Sequence, residues 1–183
     1  AAIASKIAEL AILQNEINQH LQIVDDGKFK TILNAMFVSY TPEIEFTKTL
    51  FLNIELVDSF LKSPDKGFYW FPYSYKPETT AKTHVKNLNF NPDFFLKVQS
   101  TNDILVVELK KKDDDRNKNR AKFRDGKVHF ENLNNKLEEV KIIDRYYFKF
   151  LSDDGSDIAD FFQSIKDGRY KVWKSTLMNQ LEK

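Results

Sequence analysis

The order of elements legible in the sequence predicts an α/β fold: helices first, then three strands, a helix, a fourth strand and a closing helix. Three observations carry that reading. Thr41-Pro42-Glu43 opens a helix. Residues 90–98 (FNPDFFLKV) and 104–110 (ILVVELK) flank the short polar stretch Gln99-Ser100-Thr101-Asn102-Asp103, as the strands of a hairpin do. Between that hairpin and the next strand-like run lies a polar, basic segment with helical spacing.

Ile3, Ile7, Leu10, Ile17, Leu21 and Val24 recur at three- and four-residue intervals, with Gln14 interrupting the seam, which predicts a helix over 3–24. Such a helix packs against another domain, a second copy or its own core. Asp25-Asp26-Gly27 should stop it, and a second helix is expected over 28–39. Residues 1–40 therefore read as a helical extension or linker, ahead of a domain spanning 41–183. Thr41 as N-cap, Pro42 in the first turn and acids at the positive end of the dipole predict a helix, or a broken pair, running to about residue 61. Residues 67–75 (GFYWFPYSY) are aromatic and strand-like, with Pro72 marking an edge or a bulge. A polar loop leads to the hairpin. A basic helix is expected over 116–139, weakened by Gly126 and carrying Ala121, Val128, Leu133 and Leu137 on one side. Residues 144–152 (DRYYFKFLS) form the next strand. Ser156-Asp157 caps a helix bearing Ile158, Phe161, Phe162 and Ile165, and the tail from Gly168 is ambiguous.

Composition narrows the function classes. The chain of 183 residues is 42% hydrophobic and holds sixteen Phe, enough to fill a core. Without cysteine, disulfide scaffolds, thiol nucleophiles and cysteine-based zinc sites are excluded. No apolar run approaches a bilayer span and no signal peptide is visible, so a cytoplasmic globular protein is expected. The start at Ala1-Ala2, without Met, suits a piece of a longer protein. A net charge of +1 makes no whole-chain case for nucleic acid, yet residues 110–127 hold nine basic and four acidic side chains. That concentration is either a phosphate-binding surface or a solvated helix face.

The segment that carries chemistry is Pro92-Asp93 with Glu108-Leu109-Lys110. A hairpin symmetric about Ser100-Thr101 sets Asp93 directly opposite Glu108 on one face, with Lys110 two residues on along the same face. Two opposed carboxylates repel, and a divalent cation between them removes the conflict. Oxygen ligands suit Mg²⁺, which keeps several waters when only one or two carboxylates hold it. Such a cation activates water for attack on phosphorus, and an adjacent ammonium offsets the charge that develops. Pro64-Asp65 and Glu139-Val140-Lys141 repeat the residue types, but only the 92–110 set joins both halves on adjacent strands in a compatible register.

FNPDFFLKV followed by DILVVELKKK resembles the core of the PD-(D/E)xK nuclease superfamily, whose elements run helix, three strands, helix, strand; residues 41–152 match that order. TPEIEFTKTLF, GFYWFPYSY, FNPDFFLKV, ILVVELK and the basic helix leading into HFENLN are similar to the nuclease domain of type III restriction endonucleases and related helicase-linked defence nucleases. The resemblance implies a restriction-endonuclease-like core and a Mg²⁺-dependent endonuclease, with Mn²⁺ as a substitute, acting on double-stranded DNA. It makes Asp93 and Glu108 the metal-binding acids, the Leu109 carbonyl a third ligand and Lys110 the catalytic lysine. It also implies an assisting acid in the first core helix, Glu45 with Glu43 close behind; helix-start electrostatics is the other reading for either. Lys122 and Arg120 become supporting residues from the following helix, and Lys112, Lys118, Arg120 and Lys122 DNA contacts. The Lys111–Asp115 run is more charged than such a loop needs. A helicase or ATPase partner and a methyltransferase subunit follow by the same resemblance. The alternative is a catalytically silent nuclease-like module that holds DNA or a partner.

The remaining signals are weaker. His20, His84 and His129 form no metal-ligand spacing, although His84 precedes the hairpin closely enough to approach the site. The aromatics of 68–75 suit a core, or stacking on bases. No phosphate-binding Gly-x4-Gly-Lys-Ser/Thr loop and no Gly-x-Ser-x-Gly elbow is present.

Overall fold

The computed structural model describes residues 21–23, 31, 35–38, 40–64, 68–77, 84–114 and 116–183. Strands β1 (Leu21–Ile23) and β2 (Ala35–Phe37) precede helix α1 (Thr41–Leu52). Strands β3 (Val57–Lys62), β4 (Phe71–Tyr75), β5 (Lys86–Phe90), β6 (Phe94–Val98) and β7 (Asp103–Lys110) follow. Helix α2 (Asn117–Glu139), strand β8 (Arg145–Ser152) and helices α3 (Gly155–Lys166) and α4 (Thr176–Leu181) complete the chain. The fold is mixed α/β. Its centre is a four-stranded sheet in the order β3-β6-β7-β8, antiparallel except for the parallel pair β7–β8; β4–β5 forms a separate two-stranded sheet, and so does β1–β2. Parallel pairing of consecutive central strands needs a crossover, and α2 supplies it.

Alternation along the central strands divides the core into two layers. Phe94 and Leu96 of β6, with Leu105, Val107 and Leu109 of β7, meet Phe46 and Leu50 of α1 and Ile158, Phe161 and Phe162 of α3. On the other face Val106, Phe148 and Phe150 meet Ala121, Phe123 and Phe130 of α2, Leu177 and Met178 of α4, and Phe71, Tyr73 and Phe90 of the β4–β5 sheet. Met36 and Val38 are buried in the first layer. Gly126 lets α2 lie close to the sheet, because a Cβ there would stand 2.4 Å from the Phe148 ring. A residue that costs a helix about 1 kcal/mol relative to Ala is thus required by packing.

Several sequence expectations change. The helix from Thr41 stops at Leu52, and residues 57–62 are a strand; the apolar spacing of 50–61 fits both periods, and pairing with β6 decides between them. Where helices over 3–24 and 28–39 are expected, Leu21–Ile23 and Ala35–Phe37 pair antiparallel instead. Residues 3–20 of that first expected helix, the Asp25-Asp26-Gly27 stop and His20 lie outside the described residues. The 90–98 run breaks at Asn91-Pro92-Asp93, since Pro92 has no N–H for a ladder, and Phe90 belongs to β5. Phe71–Tyr75 pairs with β5 rather than joining the central sheet. Tyr40 rather than Thr41 occupies the N-cap position of α1, without a side-chain cap hydrogen bond, and Asp154 caps α3 by accepting from the Ser156 N–H. Of the expected stripe Ala121 is buried, Leu133 packs partly buried against the core and Val128 is exposed; Asn119, Phe123, Gly126 and Phe130 are the other buried residues of α2.

Candidate metal centre

The β6–β7 register pairs Phe94 with Val107 and Leu96 with Leu105, the pairing that symmetry about Ser100-Thr101 requires. Carried one step past β6, it sets Asp93 against Glu108. The Asp93 N–H donates to the Val107 carbonyl (3.0 Å) and its carbonyl accepts from the Ser63 N–H (2.8 Å), so the acid is pinned between two strands. Its side chain finishes the ladder: Oδ2 accepts from the Leu109 N–H at 2.7 Å. Period two places Val106, Glu108 and Lys110 on the β7 face that meets α2 and the β4–β5 sheet.

Glu108 is 1% exposed. Its Oε1 takes two ammonium groups, that of Lys110 and, at 3.1 Å, that of Lys122 from α2. Its Oε2 is buried without a hydrogen-bond partner. Lys110 also donates to the Leu109 carbonyl (2.8 Å), and Lys122 lies 4.5 Å from the centroid of the Phe90 ring, a cation–π contact that occupies a second side of the ammonium.

The titration of these groups follows from crowding. Burial pushes the Asp93 carboxyl well above the ordinary carboxylate range, and the charge on Glu108 pushes it further; Lys110 and the Leu109 N–H oppose this without cancelling it. Burial alone would lower Lys110, but Glu108 and Asp93 outweigh it and hold the ammonium above its usual value. Lys122 goes the other way. Burial is its largest influence, Lys110 adds repulsion, and its proton is held less tightly than in an ordinary lysine. Tyr73 of β4, pushed up to about 12 by burial and then by Tyr75 and Glu108, stays a neutral phenol beside the pair.

An implied divalent cation can be tested against these donors. Glu108 Oε2 is a buried acceptor with no partner, although two ammonium groups meet Oε1, and Asp93 is destabilised as an anion first by burial and then by Glu108. Asp93, Glu108 and the Leu109 carbonyl are hard oxygen donors of the kind Mg²⁺ takes, and they fit it. Among the described residues no three His, Cys, Asp or Glu side chains converge. The donor set is therefore two carboxylates and a carbonyl, with the rest of the coordination sphere left to water.

The other candidate residues are dispersed. Glu45 is exposed on α1, paired with Lys48 at 3.0 Å, and does not reach the cluster. Glu43 comes nearer: it is buried, pairs with Lys62 at 3.3 Å, and its charge adds a last, smallest contribution to raising Asp93. The two acids lie two residues apart on α1, on different faces of the helix, and only packing of the helix chooses between them. Lys112 is exposed and bound to Asp154 at 2.9 Å, Lys118 is exposed, and Arg120 lines a groove beside α2. Lys122 sits within the cluster rather than on an open surface. His84 is exposed, whereas His129 stacks on Phe71 with ring centroids 4.3 Å apart, a packing role. Tyr73 escaped the sequence reading; its alternation with Phe71 is the signal that points it inward.

No family model matches the chain, and no curated protein or solved structure shows significant similarity to it. The chemistry of the cluster is read from its geometry.

Proposed function

We propose that this chain is a Mg²⁺-dependent endonuclease that hydrolyses phosphodiester bonds of DNA. The observation that carries the reading is the pair of opposed acids: Glu108 buried with one oxygen unpartnered, Asp93 across the hairpin forced toward its protonated form, and Lys110 paired with Glu108 from the same face. Further support comes from the element order. Helix α1, strands β3, β6 and β7, helix α2 and strand β8 follow the helix, three strands, helix, strand plan of the PD-(D/E)xK superfamily, with the β4–β5 hairpin inserted after the first strand. The resemblance adds a restriction or defence system in which a helicase or translocase, with or without a methyltransferase subunit, presents the DNA in the cytoplasm. Among the described residues no helix is long and apolar enough to cross a membrane.

In this reading Asp93, Glu108 and the Leu109 carbonyl would hold Mg²⁺, which would supply Lewis-acid activation of water and of the scissile phosphate. The protein's own groups do the positioning. Lys110 is charged at neutral pH, so it acts as a hydrogen-bond donor and not as a base; tied to Glu108 and to the Leu109 carbonyl, its ammonium is fixed where charge grows on the phosphorus oxygens. Lys122 brings a second cation to the same carboxylate from the opposite element. Tyr73 and Phe90 wall the cluster on the β4–β5 side and limit bulk water, which strengthens every interaction inside.

The test is incubation of supercoiled plasmid with the protein. Mg²⁺ or Mn²⁺ should give nicked and linear products, EDTA should prevent them, and Glu108→Gln should remove them while calorimetry shows lost Mg²⁺ affinity. Intact plasmid together with no measurable Mg²⁺ binding by the wild type would overturn the proposal.

A further inference from the structure

Beside the metal centre, β4, the β5 end and α4 enclose a groove of about 910 Å³ along the first half of α2. Its polar lining is basic: Lys76, Arg120, Arg124, Lys127 and Lys183 contribute five cations against Glu131 and Glu182. Arg120, Arg124 and Lys127 recur at helical spacing, so they share one face of α2. The rest of the lining is not what a phosphate track alone needs. Tyr75, Val85, Phe123 and Val128 are apolar, and Val85 and Val128 are each 51% exposed.

Two elements, β4 and α2, each carry residues of both the groove and the cluster. Tyr75 at the groove wall stacks on Tyr73, centroids 6.1 Å apart, and Tyr73 feels the charges of Glu108 and Lys110. On α2, Arg120, Ala121, Phe123 and Arg124 line the groove, while Lys122 between them reaches Glu108. Arg124 also donates to the Ser74 carbonyl at 3.0 Å, fastening the strand that forms the wall to the helix that forms the floor.

We infer that this groove seats a single polynucleotide strand and leads it to the Asp93–Glu108 pair, so that the substrate is an unpaired or frayed strand. A duplex shows phosphates on its outside and hides its bases; it gains nothing from exposed valines and Tyr75 on the groove wall. A single strand presents both a charged backbone and bare base faces, and grooves for such strands combine cations with aromatic side chains on which bases stack, the part Tyr75 takes here. The inference rests on the nuclease reading for its consequence, but its binding step needs no metal.

The test uses the full chain carrying Asp93→Asn, in EDTA, so that nothing is cut. Fluorescence anisotropy is measured with a labelled oligothymidine of about 12 nucleotides, with the same strand annealed to its complement, and with oligouridine, which separates DNA from RNA as the source of the strand. The single strand should bind at least tenfold more tightly than the duplex. Lys76→Gln with Lys127→Gln, both at exposed positions, should weaken it at least tenfold and make the salt dependence shallower by roughly 0.7 per lost contact. Val85→Ser with Val128→Ser, which touches no core, should weaken it with the salt slope unchanged. Duplex binding as tight as single-strand binding, or wild-type affinity in both double variants with unaltered melting curves, would overturn the assignment. Failure of the nuclease reading looks different: absent cleavage and absent Mg²⁺ affinity in the wild type, with strand-selective binding intact.

Discussion

Strand β7 buries an acid near each end, and the two are treated in opposite ways. Asp103 is 6% exposed and its Oδ2 is fully engaged, accepting from the Tyr170 hydroxyl at 2.6 Å and pairing with the Lys171 ammonium at 2.9 Å. Glu108 is 1% exposed, keeps one oxygen without a partner and faces a second acid. A carboxylate whose lone pairs are met by the protein is a fastening, here of the segment after α3 to the sheet. A carboxylate with one oxygen bare beside another carboxylate is, in the proposed reading, open to a ligand that the chain does not itself provide. The same residue chemistry on one strand thus takes two forms according to what surrounds it.

The sharpest way to break that comparison is to neutralise each acid in turn. Glu108→Gln should lower Mg²⁺-dependent plasmid cleavage by about three orders of magnitude, comparable to removing a central electrostatic group from an active site, and should also lower the melting temperature, because Lys110 and Lys122 lose the carboxylate they share. Asp103→Asn should touch stability alone. Denaturant titration should show a loss of about 1–3 kcal/mol, the cost of stranding buried polar partners, while cleavage per folded molecule holds. Equal effects of the two substitutions on both readouts would erase the distinction.

A smaller effect concerns Asp93, whose carboxyl is raised in the folded chain. Its contribution to stability is complete below the ordinary carboxylate range and is lost as pH rises through the raised value, because the unfolded chain then gives up its proton more readily. Asp93→Asn keeps an oxygen to accept from the Leu109 N–H and removes the charge. Without metal it should melt at the same temperature as wild type in acid and a few degrees higher at neutral pH, at roughly 2–4 °C per kcal/mol for a chain of this size. Mg²⁺ should then stabilise wild type increasingly from acid to neutral pH and leave the variant unmoved. A variant less stable than wild type at every pH would mean that the acid is needed for the strand junction and not for a cation.

The smallest effect is expected at Lys149, a third buried charge that has neither acid. It is 3% exposed, donates to the Lys171 and Trp173 carbonyls, and is brought down to about 8 by burial and then by Lys174. A lysine so depressed makes the fold gain stability as pH rises from about 8 toward its ordinary 10.5, because there the unfolded chain holds the extra proton. Lys149→Met should flatten that part of the stability profile, measured by urea titration at alkaline pH, without touching Mg²⁺ affinity.

Much of the site was legible before the fold. The polar stretch 99–103 and the alternation on either side of it leave one register for the β6–β7 hairpin, and that register sets Asp93 against Glu108 and puts Lys110 on the same face. The span of α2 was equally plain. Other parts were not. Glu43 and Glu45 are equivalent as helix-start acids, and only the face that α1 turns to the sheet makes Glu43 the one beside Asp93. Lys122 reads as one cation among nine in a basic segment until α2 packs across β7.

The division has a physical cause. Hairpins and helices are closed by interactions within a few residues, so propensity, turn chemistry and periodicity specify them locally, and the sequence by itself determined the opposed acids and the basic crossover helix. Strand β3 is a strand because β6 offers it hydrogen bonds, the β4–β5 sheet stands apart because Phe71 and Phe90 pack on α2, and the bare oxygen of Glu108 exists because two lysines from different elements take only its partner oxygen. Those outcomes depend on groups far apart in the chain, whose desolvation and pairing are settled only when the layers close; tertiary structure alone decided them.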